Sequence, residues 1–179
     1  DTLELTFYYL DQNEPVDIVA TVVDANGLSS IELQDFSVEL APVHPNDVWA
    51  GQPIGIGLRA AGLPGGFWDL DNVRLIEMLP ETLDVNNASF EGPVVDPNAF
   101  QALPWVDGWL ELDVDTEASL NTGVFANTPA DSPGHIVNAQ GNQLAFLGSE
   151  QGNAFEQDLD ATYQVNSVYR LSVAVGVSA

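Results

Sequence analysis

Alternation with a period of two residues runs through this chain, and no segment offers an amphipathic helix of three turns. Leu3, Leu5, Phe7 and Tyr9 alternate with Glu4, Thr6 and Tyr8; Phe36, Val38 and Leu40 alternate with Ser37 and Glu39. Ile54, Ile56 and Leu58 are spaced by glycines, and residues 16–23 form a β-branched run. Tyr169, Leu171, Val173 and Val175 alternate with Arg170, Ser172 and Ala174. Successive side chains of a strand point to opposite faces, so each run reads as a strand with one buried face. Turn signals such as Ala25-Asn-Gly27, Leu63-Pro-Gly-Gly66 and Ser132-Pro-Gly134 separate the runs. Many short strands without intervening helices predict an all-β fold, an antiparallel sandwich or barrel.

A length of 179 residues suits a single domain with a core that needs no disulfide, and no cysteine is present. The charge is extreme: 27 acidic residues stand against 3 arginines and no lysine, a formal net charge of -24. Such a surface repels nucleic acid and anionic lipid, which excludes both as partners. It also repels itself, and divalent cations or a saline exterior would relieve that repulsion, so an extracellular, secreted protein is expected. No apolar run is long enough for a membrane span. Both ends read as cut from a longer chain, with any export signal upstream.

Residues 80–103 and 126–143 break the strand pattern and are rich in Asn, Pro, Asp and Gly. Long loops on a rigid β scaffold commonly carry function. In Trp68-Asp-Leu-Asp-Asn-Val-Arg-Leu75, simple alternation puts Asp69, Asp71, Val73 and Leu75 on one face. If Val73 and Leu75 enter the core, Asp71 points inward at its margin, where a carboxylate needs a partner. A calcium ion, which takes hard oxygen ligands, is one reading; a solvated Asp71 at a strand end is the other. Asn87, Ser89 and Glu91 place amide, hydroxyl and carboxylate oxygens close together before Gly92-Pro93. Asp113-Val-Asp-Thr-Glu117 lacks the frame of an EF-hand and reads as a solvated acidic loop.

Sequence motifs for catalysis are missing. His44 and His135 lie in separate loops, and no nucleophile elbow or phosphate-cradling loop is present. Trp49, Trp105 and Trp109 are candidate platforms for a sugar face, although a tryptophan is equally suited to the core.

Asn87-Ala-Ser-Phe-Glu91-Gly-Pro, Pro104-Trp-Val-Asp-Gly-Trp109, Phe155-Glu-Gln157-Asp-Leu159 and Tyr169-Arg-Leu-Ser-Val-Ala-Val175 resemble the opening half of a carbohydrate-binding-module-like β jelly roll. Gly51-Gln-Pro-Ile-Gly-Ile-Gly-Leu58 and Asp69-Leu-Asp-Asn-Val-Arg-Leu75 resemble its closing half. The order is reversed, with residues 1–79 as the closing half and 80–179 as the opening half. That is the order of a circular permutation, or of a stretch spanning two tandem copies. The whole is similar to a module of a marine bacterial pectate-lyase-like protein.

This resemblance implies a structural Ca2+ held by Glu91 and Asp71, with Asn87 and Ser89 nearby and Asp69 behind them. It implies a non-catalytic carbohydrate-binding module of a secreted polysaccharide-degrading protein. Its partners would be a plant or algal cell-wall polysaccharide and the other domains of the parent chain. A spacer or adhesive module without glycan binding is the alternative. A third reading follows from calcium-containing relatives that resemble terpenoid-alkaloid cyclases, and it requires an apolar pocket with an acidic residue inside.

Overall fold

A computed structural model describes residues 1–63, 65–77, 81–96, 102–112 and 121–178, and it contains strands and loops only. The strands are β1 (Thr2–Asp11), β2 (Glu14–Asp24), β3 (Gln34–Leu40), β4 (Pro53–Ala61), β5 (Phe67–Glu77) and β6 (Glu81–Leu83). They continue with β7 (Leu110–Leu112), β8 (Thr122–Ala126), β9 (Gln143–Gly148), β10 (Ala154–Thr162) and β11 (Tyr169–Ser178). One sheet has the order β2-β1-β4-β10-β7; the other has β3-β11-β5-β9-β8, with β6 paired to β5. All strand pairs are antiparallel, so the expected β-sandwich is the fold. Among the described residues no helix is long and apolar enough to cross a membrane.

The inward faces carry the alternating residues of the sequence. Leu3, Leu5 and Phe7 of β1 meet Ile54, Ile56 and Leu58 of β4 in one layer, and Leu171, Val173 and Val175 of β11 lie in the other. The outward glycines of β4 have a purpose: a Cβ on Gly55 would lie 2.2 Å from the Tyr8 ring, which rests flat on that strand. The two halves of the chain interleave in both sheets. β4 pairs with β10 in one sheet, and β5 lies between β9 and β11 in the other. Residues 81–178 therefore cannot close either sheet without strands supplied by residues 2–77.

Strand β5 departs from simple alternation. Trp68 and Leu70 join the core, and so do Val73 and Leu75. Two odd and two even positions share a face because Asn72 adopts a left-handed φ of 52°, shifting the register against β11 between Asp71↔Ala174 and Arg74↔Ser172. This is a β-bulge, which inserts one residue and re-aims the strand. Asp71 thus does not share a face with Val73 and Leu75, as alternation suggested. It faces outward with Asp69, and both are nevertheless buried.

What buries them is a strap, residues 127–142, laid across the outer face of the second sheet. Ile136 of the strap packs with Leu33, Leu144 and Ala174 in a second, smaller core, with Phe125 and Ala139 at its edge. Val137 holds the strap to the approach to β3, donating to Ile31 O (2.9 Å) and accepting from Leu33 N (3.1 Å).

Charge compensation inside the molecule is minimal. Arg59 pairs with Asp17 and Glu156, Arg74 with Asp35 and Arg170 with Glu39, so every arginine is already engaged. The remaining carboxylates repel one another through solvent, a term that salt screens. The melting temperature should therefore rise as NaCl is raised from about 0.05 to 1 M, where the Debye length falls to ~3 Å. A thermal melt that is flat or falling over this range would show that repulsion does not limit stability.

Candidate active site

The outward face of β5 presents Phe67, Asp69 and Asp71 in a row. Asp69 lies opposite Phe146 of β9 on one side and Gly176 of β11 on the other. Gly176 has little room for a side chain, since a Cβ there would come 3.0 Å from Leu33 Cδ2. Beside Phe146 stand Phe67 (ring centroids 6.0 Å apart, 72°) and Phe125 of β8 (6.3 Å, 56°). Gly123 lets a neighbouring segment close in. A Cβ there would be 1.9 Å from Leu103 O and 2.9 Å from Phe146 Cε1, and its φ is +149°.

These side chains form the floor of a cavity of about 450 Å3, walled by Ala102 and by Gly134 and Ile136 of the strap, with Ser30 and Ser178 at the rim. That volume lies within the ~300–1,000 Å3 typical of small-molecule sites. Among the described residues that line it, the one ionisable side chain is Asp69, only 1% exposed. Ser178 donates to Asp69 Oδ1 (3.1 Å), while Oδ2 is buried without a hydrogen-bond partner. Burial pushes the Asp69 carboxyl up to about 6, against the opposing effect of the Ser178 hydroxyl. The result is a carboxyl group in an aromatic pocket that keeps a substantial share of its proton at mildly acidic pH.

Asp71 has a different setting. Its Oδ1 accepts from its neighbour Asn72 (2.6 Å) and its Oδ2 from the strap amide of Gln140. Burial pushes its carboxyl up to about 7; the Gln140 and Asn72 amides act against this, and the nearby Glu91 charge adds to it. Glu91 Oε1 accepts from the amides of Asn142 and Gln143, both at 2.8 Å. The structure therefore brings together two of the expected metal ligands, Asp71 and Glu91, on the same end of the strap. Among the described residues no group of three or more His, Cys, Asp or Glu side chains converges.

Each of the other expected ligands has its own surroundings in the structure. Asn87 is a backbone clamp: its Nδ2 donates to Gly92 O (2.7 Å) and Asp107 O (2.9 Å), and its Oδ1 accepts from Gly92 N (3.0 Å). Ser89 is half-buried in the same turn. Asp69 lies in the aromatic pocket rather than beside Glu91. Asp113 to Glu117 lie outside the described residues.

The tryptophans do not form a common platform. Trp109 is buried against Phe90 (5.4 Å) and Phe155 (6.4 Å), Trp49 is half-buried against Tyr9, and Trp105 is exposed. The motif residue Gln157 is another clamp, tying Asn86 N, Asn86 O and Gly108 O together.

Fold and site together define a β-sandwich whose outer sheet face holds an acid at the floor of an apolar, aromatic pocket. The chain belongs to the HpiC1-like family, described as HpiC1 cyclase, which matches residues 81–179, more than half of its length. No curated protein and no solved structure matches it. The family overturns the expected non-catalytic carbohydrate-binding module and its spacer alternative, and points to an enzyme of the cyclase kind. It likewise gives no support to an origin in a pectate-lyase-like protein. The physical reason lies in the motifs. Asn87, Gln157 and the Trp109 cluster maintain loops and core, so they report a shared architecture rather than a shared ligand.

The two buried acids set a pH dependence. Their folded values lie above the ordinary 3.8, so the stability they contribute is full below about 4 and is lost as pH rises through 6 and 7. In the presence of chelator, unfolding free energy should fall over that interval by on the order of 3 kcal/mol per group relative to the Asp69→Asn/Asp71→Asn double variant. Urea titrations at successive pH values measure this; parallel curves for the two proteins would exclude it.

Proposed function

We propose that this protein is a cyclase that acts on a neutral, multiply unsaturated small molecule, with Asp69 as the general acid. The observation that carries the reading is the unpartnered Oδ2 of Asp69 at the floor of the pocket walled by Phe67, Phe125 and Phe146. A proton passes from Oδ2 to a π bond of the substrate, leaving a cation on the adjacent carbon. A second π bond of the same molecule attacks that carbon and closes the ring. Loss of a proton to the Asp69 carboxylate restores the acid, and the product is an isomer of the substrate. Ring faces attract cations, so the phenylalanines stabilise the charged intermediate while keeping water away from it. The acid form is needed at the start, so the rate should fall as pH rises through about 6.

The test is a panel of apolar polyenes and prenylated aromatics followed by mass spectrometry. Turnover should yield a product of unchanged formula that carries one deuterium when formed in D2O. Asp69→Asn keeps the shape of the side chain but removes the acid, and should lower the rate by about 100-fold or more. Undiminished turnover by this variant would refute the assignment.

Calcium at Asp71 and Glu91 belongs to the same reading. The donor chemistry suits a hard cation: two carboxylates face one another without a cationic side chain, and the chain's arginines are engaged elsewhere. Backbone carbonyls and water would complete the six to eight oxygens calcium takes. The ion would neutralise the pair and fasten the strap to the sheet. An extracellular medium with millimolar calcium fits both this and the net charge. Calcium should raise the melting temperature of the wild type, and Asp71→Asn should lose that response while the exposed-site variant Asp11→Asn retains it. Equal responses from both variants would remove Asp71 from the site.

The reversed order of halves is also part of the proposal. It is supported by the start of the family match at residue 81 and by the interleaving of residues 2–77 into both sheets.

A further inference from the structure

We infer that Glu91 is a positioning residue for the pocket: its Oε1 pins the strap at Asn142 and Gln143, and through Asn127 holds Ile136 in the pocket wall. The inference rests on the reading of this pocket as the site of reaction.

Glu91 itself does not line the pocket; it borders a separate cavity that is also lined by the strap. Its influence runs through an unbroken set of hydrogen bonds. Oε1 accepts two consecutive amides, Asn142 N and Gln143 N, each at 2.8 Å. Asn142 O accepts from Asn127 N (2.8 Å) at the opposite end of the strap. The Asn127 side chain then grips Ile136 on both backbone groups, donating to its O (2.8 Å) and accepting from its N (3.0 Å). Ile136 is 6% exposed and its contacts form the wall opposite Asp69 and Phe146.

The strap backbone is shaped to this one oxygen. Gly141 has φ +91°, and a Cβ on it would lie 2.4 Å from Glu91 Oε1. Two adjacent N–H groups converge there, so the position demands an acceptor rather than a charge. Each carboxylate oxygen has two lone pairs, and Glu91 Oε2 is left over, so pinning the strap and binding a cation are compatible.

That distinction separates the latch from metal ligation. Glu91→Gln keeps the carbonyl-type oxygen, whereas Glu91→Leu keeps the bulk and loses the acceptor. Amide hydrogen exchange is measured in chelator, well below the melting temperature, together with binding of N-phenyl-1-naphthylamine, a neutral dye that brightens in apolar sites. In Glu91→Leu, exchange at residues 127–143 should accelerate about tenfold or more and dye affinity should fall several-fold. Glu91→Gln should stay within about twofold of the wild type in both. Wild-type behaviour of Glu91→Leu, or equal damage in Glu91→Gln, would overturn the inference.

Should Glu91→Leu fail to fold, Asn127→Ala cuts the relay further along. It should release residues 128–136 and weaken dye binding while Asn142 and Gln143 stay protected; unchanged exchange at 128–136 would equally overturn it. Asp69→Asn should leave exchange at residues 127–143 alone while lowering turnover by about 100-fold or more, so failure of the cyclase reading and failure of the latch are told apart.

Discussion

The bulge at Asn72 is the constraint on which the site depends. A regular β5 would offer two arrangements: Trp68 and Leu70 in the core with Val73 and Leu75 outside, or Asp69 and Asp71 inside. Both lose. The first leaves two large apolar side chains out of the core, at about 1.5–3 kcal/mol each. The second puts two carboxylates into the sandwich, at several kcal/mol each. One left-handed asparagine at φ 52° escapes both, and asparagine is among the residues that tolerate that conformation best. The bulge also redirects Val73 N, which donates to Ala88 O at 2.7 Å and so docks the turn that carries Glu91. A single local distortion therefore lets Val73 and Leu75 enter the core while Asp69 and Asp71 stay outside the sandwich, and it brings Glu91 alongside.

Burying carboxylates in a chain with no spare cation creates an electrostatic debt that the backbone meets in part. The strap amides of Gln140, Asn142 and Gln143 all point at Asp71 or Glu91. Hydrogen bonds to a charged acceptor contribute about 1.5–3 kcal/mol, against several kcal/mol for desolvating each ion. The shortfall is visible at Asp71, whose carboxyl remains pushed up to about 7 despite two amide donors. Loop and sheet are thus coupled by an interaction that is strong in geometry and incomplete in charge. Asp69 receives less still, one hydroxyl, and its Oδ2 is left without a hydrogen bond.

Where one strand face carries large apolar side chains and the other polar or small ones, the sequence was easy to read, and β1, β3, β4 and β11 follow their alternation. β9 hid itself, because Leu144 packs under the strap while Ala145 and Leu147 pack in the main core, so both faces are apolar. β10 hid for the opposite reason: the inward position between Phe155 and Leu159 is Gln157, a polar clamp in an otherwise apolar row. The pairing of Asp71 with Glu91 was legible from their shared resemblance, and its location was not, since nothing in Asp-Asn-Val marks Asn72 as left-handed. The pocket was illegible for a deeper reason. Its phenylalanines come from β5, β8 and β9, its wall from the strap, and its acid from a position that alternation assigned to the other face.

That asymmetry explains why the motifs suggested the wrong activity. The residues most alike among sandwiches of this kind are those that solve problems common to the architecture. Asn87 closes a turn, Gln157 ties two loops to a strand, and Trp109 seals the end of the core. None of them touches the pocket. The candidate pocket instead occupies an outer sheet face, and it exists here because an irregular strap covers part of that face and Asp69 lies buried beside it. A loop with no periodicity decides whether the scaffold presents a flat sheet face or an open pocket with an apolar lining. The candidate site is therefore completed by the segment that carries the least secondary structure, on a scaffold whose regularity serves to hold that segment in place.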